Sequence, residues 1–204
     1  MRKLSTILLI ILGFCGMAAA QQKNDFEFGV NAGLNISYVH DSNITEHAHT
    51  LTGFNAGISA ERYFFDSWSL KAKVIYDEKG WTNGYLDGNN GPEVDKVTLK
   101  LNYITVPVMV NWHFGRSKNW YAELGPYIGF LHNANAGGSY VNDDFNSEDA
   151  GVSMGLGFKL PVTERIKFFV EYEGQYGLTG NLKETNNGSA IQNIRGSFNV
   201  GVNF

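Results

Sequence analysis

The chain has 204 residues, a formal net charge of −4 and one cysteine; 43% of it is hydrophobic and 18% charged. Those values exclude a disulfide scaffold, an intrinsically disordered chain and a basic nucleic-acid-binding surface, and no repeat supports a collagen or a coiled coil. Two departures from the average remain: 24 glycines, roughly 12% against a usual ~7%, and a charged fraction below the usual ~25%.

Residues 1–20 read as a secretory signal peptide. Met1-Arg2-Lys3 is basic, Leu4 to Met17 is almost wholly apolar, and Ala18-Ala19-Ala20 places small residues ahead of Gln21. Phe14 stands before Cys15, where a lipoprotein signal wants a small residue, so no lipid anchor is expected. The domain is expected over 21–204, with no cysteine and therefore no disulfide.

Beyond Gln21 no apolar run is long enough for a membrane helix, so a membrane-spanning form of this chain must be a closed barrel. The pattern that recurs is period two, the signature of strands. Eight segments show it, at about 26–38, 52–64, 67–79, 97–114, 119–132, 149–160, 166–178 and 193–204. In the third, Trp68, Leu70, Ala72, Val74 and Tyr76 alternate with Ser69, Lys71, Lys73 and Asp77. In the last, Ile194, Phe198, Val200, Val202 and Phe204 alternate with Arg195, Ser197, Asn199 and Asn203. Connections alternate in length. Those at 39–51, 80–96, 133–148 and 179–192 are long and polar; those at 65–66, 115–118 and 161–165 are short.

An even strand number with long loops at one end and tight turns at the other is the plan of an outer-membrane barrel. The fold expected is all-β: an eight-stranded antiparallel up-and-down transmembrane barrel with both termini at the short-turn, periplasmic end. Aromatics gather in two bands. One holds Phe26, Phe28, Phe64, Phe65, Trp68, Trp112, Phe114, Trp120, Phe158, Phe168 and Phe204; the other holds Tyr38, Phe54, Tyr76, Phe130, Tyr172 and Tyr176. Such bands match interfacial girdles. Phe198, Val202 and Phe204 form the apolar, aromatic-ended face of a C-terminal strand, resembling the signal read by the barrel-assembly machinery.

The polar face is then the lumen. It carries the acids Glu27, Glu61, Asp77, Glu123, Glu171 and Glu173 and the bases Lys71, Lys73, Lys159, Lys167 and Arg195. Near-balance of signs in a barrel just wide enough to be filled by side chains predicts a paired interior and little or no conductance. Glu61 should lie opposite Lys71 across the turn at 65–66. Interior glycines make room for the long charged chains, which accounts for the glycine excess. Pro107 and Pro126 are expected nearly opposite each other, at one local bulge or kink. A phase slip is expected at Asn102-Tyr103, where the apolar parity changes.

The run Leu101-Asn102-Tyr103-Ile104-Thr105-Val106-Pro107-Val108, followed by Trp120-Tyr121-Ala122-Glu123-Leu124-Gly125-Pro126-Tyr127-Ile128-Gly129, resembles the paired motif of PorT-type outer-membrane β-barrel domains. Glu171-Tyr172 and Tyr176-Gly177-Leu178 resemble the penultimate strand of that family. Thr105 departs from it, standing where an acid is common. The resemblance implies an eight-stranded outer-membrane barrel of Bacteroidota-type bacteria; it carries over no role in secretion.

Chemical motifs are sparse. Asp41, Ser42, His47 and His49 sit close together in the first long loop, but with no zinc spacing and no nucleophile motif they read as solvated loop residues. His113 and His132 read as single interfacial residues at strand ends. Glu171 and Glu173 read as structural partners of the lumen bases. Gly151 to Gly157 is glycine-rich but lies in a strand, so it is no nucleotide loop. No catalytic residue, cofactor or metal is expected. The leading reading is a non-enzymatic outer-membrane barrel. It contacts lipid, uses the barrel-assembly machinery during biogenesis and offers its long loops to a protein partner. A small barrel enzyme acting on lipid or peptide, and a secreted lipocalin-like ligand carrier, are the alternatives.

Overall fold

The computed structural model describes residues 26–40, 49–84, 97–142, 145–180 and 192–204. These form nine strands: β1 (Phe26–His40), β2 (His49–Phe65), β3 (Trp68–Gly84), β4 (Val97–Phe114), β5 (Trp120–Ala136), β6 (Ser139–Tyr140), β7 (Glu148–Pro161), β8 (Lys167–Gly177) and β9 (Gln192–Asn203). Eight of them, all but β6, close into one antiparallel ring, with β1 paired to both β2 and β9 and β4 paired to β5. Closure removes every free edge, and Phe28 and Phe204 exchange backbone bonds of 3.0 and 2.8 Å where the first and last strands meet. The expected barrel is present, and the chain enters and leaves it at the short-turn end.

The ninth strand was not expected. β6 is a two-residue strand hydrogen-bonded to the end of β5 beyond Asn135. Gly137 (φ 57°) and Gly138 (φ 100°) reverse the chain there, in a region of backbone space that favours glycine. Gly-Gly between two strand residues is a tight-hairpin signal.

The outer face is apolar along its length: Val30, Leu34, Ile58, Val74, Leu124, Met154, Leu156 and Val200 all stand exposed. A ligand-carrying barrel would bury this face, so the lipocalin-like alternative fails. The aromatic band at the short-turn end is continuous through Trp68 on Trp112 (ring centroids 6.4 Å), Trp112 on Phe114 (4.9 Å) and Trp120 on Phe158 (4.9 Å). Arg62 lies on the same outer face with its guanidinium over Phe26 and Phe64. Its stem covers apolar surface while its charge stays at the interfacial level.

Three sequence expectations need correction here. Pro107 faces Tyr127, one residue from Pro126, and the pairing simply lacks Val108 and Met109 without a change of register. The prolines therefore make a gap in the ladder, not a bulge. The phase slip does fall beside Asn102 and Tyr103, but on the partner strand: β5 skips His132 between Leu131 and Asn133. Buried residues of β4 keep one parity from Leu99 to His113. Finally, His113 is buried inside the barrel and is not interfacial, whereas the skipped His132 is exposed.

Gly125 explains the Gly-Pro pair. A Cβ built there would stand 2.0 Å from the Val108 carbonyl oxygen and 2.8 Å from Met109 Cα. The two backbones approach closely where the ladder is broken, and only glycine fits. Gly125→Ala is expected to push β4 and β5 apart and lower stability by about 1–3 kcal/mol, as overpacking does. Urea midpoints of refolded protein equal to those of the parent would show that the seam tolerates a side chain.

Candidate functional site: the filled interior

The inner face holds the eleven charges singled out from sequence, and two more. Lys79 and Asp149 join them, both fully buried and 3.0 Å apart (Nζ to Oδ2). In the ring, β3 and β8 stand diametrically opposite, as do β2 and β7. Ion pairs therefore act as crossbars.

At the centre, Lys71 and Lys73 of β3 meet Glu123 of β5 and Glu171 of β8. Lys71 Nζ lies 3.0 Å from Glu123 and 2.8 Å from Glu171; Lys73 Nζ lies 3.1 and 2.5 Å from their other oxygens. Each carboxylate bridges both ammoniums. Lys73 also reaches Glu173 at 2.7 Å, and Glu173 accepts from Arg195 Nη1 at 2.8 Å. Arg195 Nε in turn lies 3.0 Å from Asp77. One continuous chain of charges thus links β3, β5, β8 and β9. Burial of unpaired charge is costly, and alternation of sign around this chain is what makes it tolerable.

Glu61 does stand opposite Lys71 in the β2–β3 register. The two do not bond. Lys71 points to β5 and β8, while Glu61 takes Lys159 of β7 at 2.7 Å and His113 at 2.9 Å. Lys159 also bonds Glu27 at 2.7 Å and Tyr63 Oη at 2.8 Å, and Lys167 pairs with Glu27 at the short-turn mouth. Register alone does not choose partners, because a long side chain inside a narrow ring reaches the far wall as easily as its neighbour.

Aromatic rings fill the space between charges. Tyr121 lies under Lys71 (4.6 Å to the ring centre) and donates its hydroxyl to Glu171 at 2.8 Å. Gly157 is its register partner on β7, and a Cβ there would lie 2.2 Å from the Tyr121 ring. Phe169 sits over Gly201 of β9 in the same way. The glycine excess is thus partly a set of seats for inward aromatic rings, as well as room for charged chains.

Toward the long loops the interior changes character. Val39, Trp81, Leu99, Leu101, Tyr103, Ala134, Ala136 and Phe145 form a buried apolar cluster. Phe145, from the segment between β6 and β7, is fully buried with its ring edge-on to Trp81 at 6.4 Å. A uniformly polar lumen was expected; the upper lumen is an apolar plug. This also explains the parity change in β4. Leu99 and Leu101 face inward because the interior at their height is apolar.

Glu123, Glu171 and Glu173 bring carboxylate oxygens within 4.8 Å of one another, a spacing that suits a cation. Lys71 and Lys73 fill that role themselves. Of the loop residues considered for hydrolysis, Asp41, Ser42 and His47 lie outside the described residues, and His49 is exposed at the start of β2. The signal-peptide segment 1–20 also lies outside them. Phe198 and Phe204 stand exposed on the outer face, with Val202 half-buried between them.

A family model for the outer membrane protein beta-barrel domain matches residues 19–183. The chain belongs to the outer membrane protein beta-barrel domain family. Among solved structures, that of Neisserial surface protein A is similar at 18% identity, covering 90% of this chain and 98% of that one with a TM-score of 0.52. At this identity the likeness shows the fold. The attachment invasion locus protein Ail of Yersinia pestis matches at 14% identity over 89% and 100% of the two chains, TM-score 0.45. OprG of Pseudomonas aeruginosa matches at 12% over 87% and 94%, TM-score 0.47. No curated protein sequence matches. As an outer membrane protein beta-barrel domain, the chain resides in the outer membrane, and its exposed apolar face and aromatic bands are the lipid-facing surface that this location requires.

Proposed function

We propose that this barrel is a non-enzymatic, non-conducting outer-membrane protein whose long loops meet a partner outside the cell and whose barrel anchors them. The observation that carries this reading is the interior: among the described residues, crossbars of charge span the lumen from wall to wall below an apolar plug, an arrangement that supports a barrel without an open aqueous path. Function is then left to the two ends. The longer end carries the connections between β1 and β2, β3 and β4, β5 and β7, and β8 and β9. Export by the segment 1–20, assembly through the face of Phe198, Val202 and Phe204, and membership of the PorT-type branch belong to the same reading. The sequence motifs around Pro107 and Gly125-Pro126 support that branch.

Orientation is testable by single-cysteine labelling, because the only cysteine in the sequence is Cys15, within the segment read as cleaved. Ser139→Cys, at the β5–β6 hairpin, should react with a membrane-impermeant maleimide in intact cells. Thr163→Cys, in the short β7–β8 turn, should react only after the outer membrane is breached. The opposite pattern would invert the barrel and remove the loops from the outside. A photo-crosslinker at Tyr140, exposed on the same hairpin, then captures whatever partner the loops hold.

A further inference from the structure

At the short-turn mouth the barrel is not filled. A cavity of about 350 Å³ opens there, lined by the three lysines Lys118, Lys159 and Lys167, by the two carboxylates Glu27 and Asp66, and by Ser117 and Asn119 among others. Its inner end is closed by Lys159, which spends all three of its hydrogens on Glu27, Glu61 and Tyr63.

Ammoniums outnumber carboxylates in this cavity, three to two. Glu27 already accepts three bonds: one oxygen takes Lys167, the other takes Lys159 and Asn203. Glu61 behind it accepts four, from Ser69, Asn111, His113 and Lys159. The donors facing the cavity are less engaged. Lys167 gives one bond and retains two hydrogens. Lys118 pairs only with Asp66 at 3.3 Å, and Asp66 is 95% exposed, so that pair is a weak, solvated one. Among the described residues the side chains of Ser117 and Asn119 give no hydrogen bond at all.

We infer that the short-turn mouth binds a small molecule through an oxyanion group, carboxylate or phosphate, received by Lys118 and Lys167 and oriented by Ser117 and Asn119. An acceptor-rich group is what uncommitted ammonium, hydroxyl and amide donors recognise, and charge-assisted bonds are the stronger kind. The volume leaves room for an organic body beside the anionic group. Because Lys159 and the charge network close the inner end, the site is a dead-end vestibule, and a molecule bound there is held and not passed on.

The test uses the full barrel in a non-ionic detergent at fixed chloride, with calorimetric titration of inorganic phosphate and, separately, succinate. Saturable binding of at least one is expected, and which one identifies the anionic group. Lys118→Gln should weaken it about tenfold, the loss of one charge-assisted bond, while leaving the fold intact, since Lys118 is bound only to exposed Asp66. Lys167→Gln should weaken it similarly. The inference is overturned if neither anion binds saturably, or if binding is the same in Lys118→Gln as in the parent.

Discussion

Lys73→Met is expected to lower the unfolding free energy by about 3–5 kcal/mol, the cost of removing one partner from a buried ionic cluster. Lys73 sits among three carboxylates, those of Glu123, Glu171 and Glu173. Without it, Lys71 and Arg195 must serve all three. The loss should be read by urea unfolding in lipid vesicles. Lys73→Met combined with Glu173→Gln and Glu123→Gln should recover much of it, because the uncompensated charge goes too. A single variant within about 1 kcal/mol of the parent would mean that the crossbar is hydrated and screened. The prediction concerns breaking the network and not its total worth. A well-packed apolar interior of equal volume could be as stable. What the charges supply is a filled interior whose ion pairs tie β3 to β8 and β2 to β7 across the ring.

Ile58→Arg should cost about 2–4 kcal/mol, the penalty for a cation near the bilayer midplane on the lipid face. Ile58 is exposed on the outer face of β2, between Phe54 toward the long loops and Phe64 toward the short turns. Arg62, four residues on, shows where the same face does accept a guanidinium: within the aromatic band. Folding efficiency and urea stability in vesicles should fall together for Ile58→Arg, and stay near the parent for Thr163→Arg in the exposed β7–β8 turn. Equal behaviour of the two variants would contradict a lipid-facing β2.

Why these outcomes could be framed from sequence, and others could not, follows from what a period of two encodes. Alternation assigns each residue of a strand to one face. It is therefore enough to place Lys71, Lys73 and Asp77 together, and the same parity extended by one step would have included Lys79. Asp149 follows in the same way from Ser153 and Lys159. Height along the barrel is a different quantity. Leu99 and Leu101 mimic a change of face, because alternation marks apolar residues as outward while the upper interior is itself apolar. Partner choice was equally hidden. Glu61 faces Lys71 in register but bonds to Lys159 and His113, since ring closure places β7 directly across from β2. The skipped residue His132 left no mark on β5 at the level of composition. The apparent slip in β4 at the same height has a separate cause, the apolar upper interior. β6 is legible in Gly137-Gly138, a tight-turn signal inside a connection that is otherwise long and polar.

Closure of the lumen from wall to wall is tested directly by single-channel recording in planar bilayers, with the purified barrel inserted at known orientation by the cysteine labels. A quiet trace is expected, with no stable conductance step above the bare membrane at either polarity. A reproducible, long-lived open level of the kind a water-filled barrel gives would contradict it.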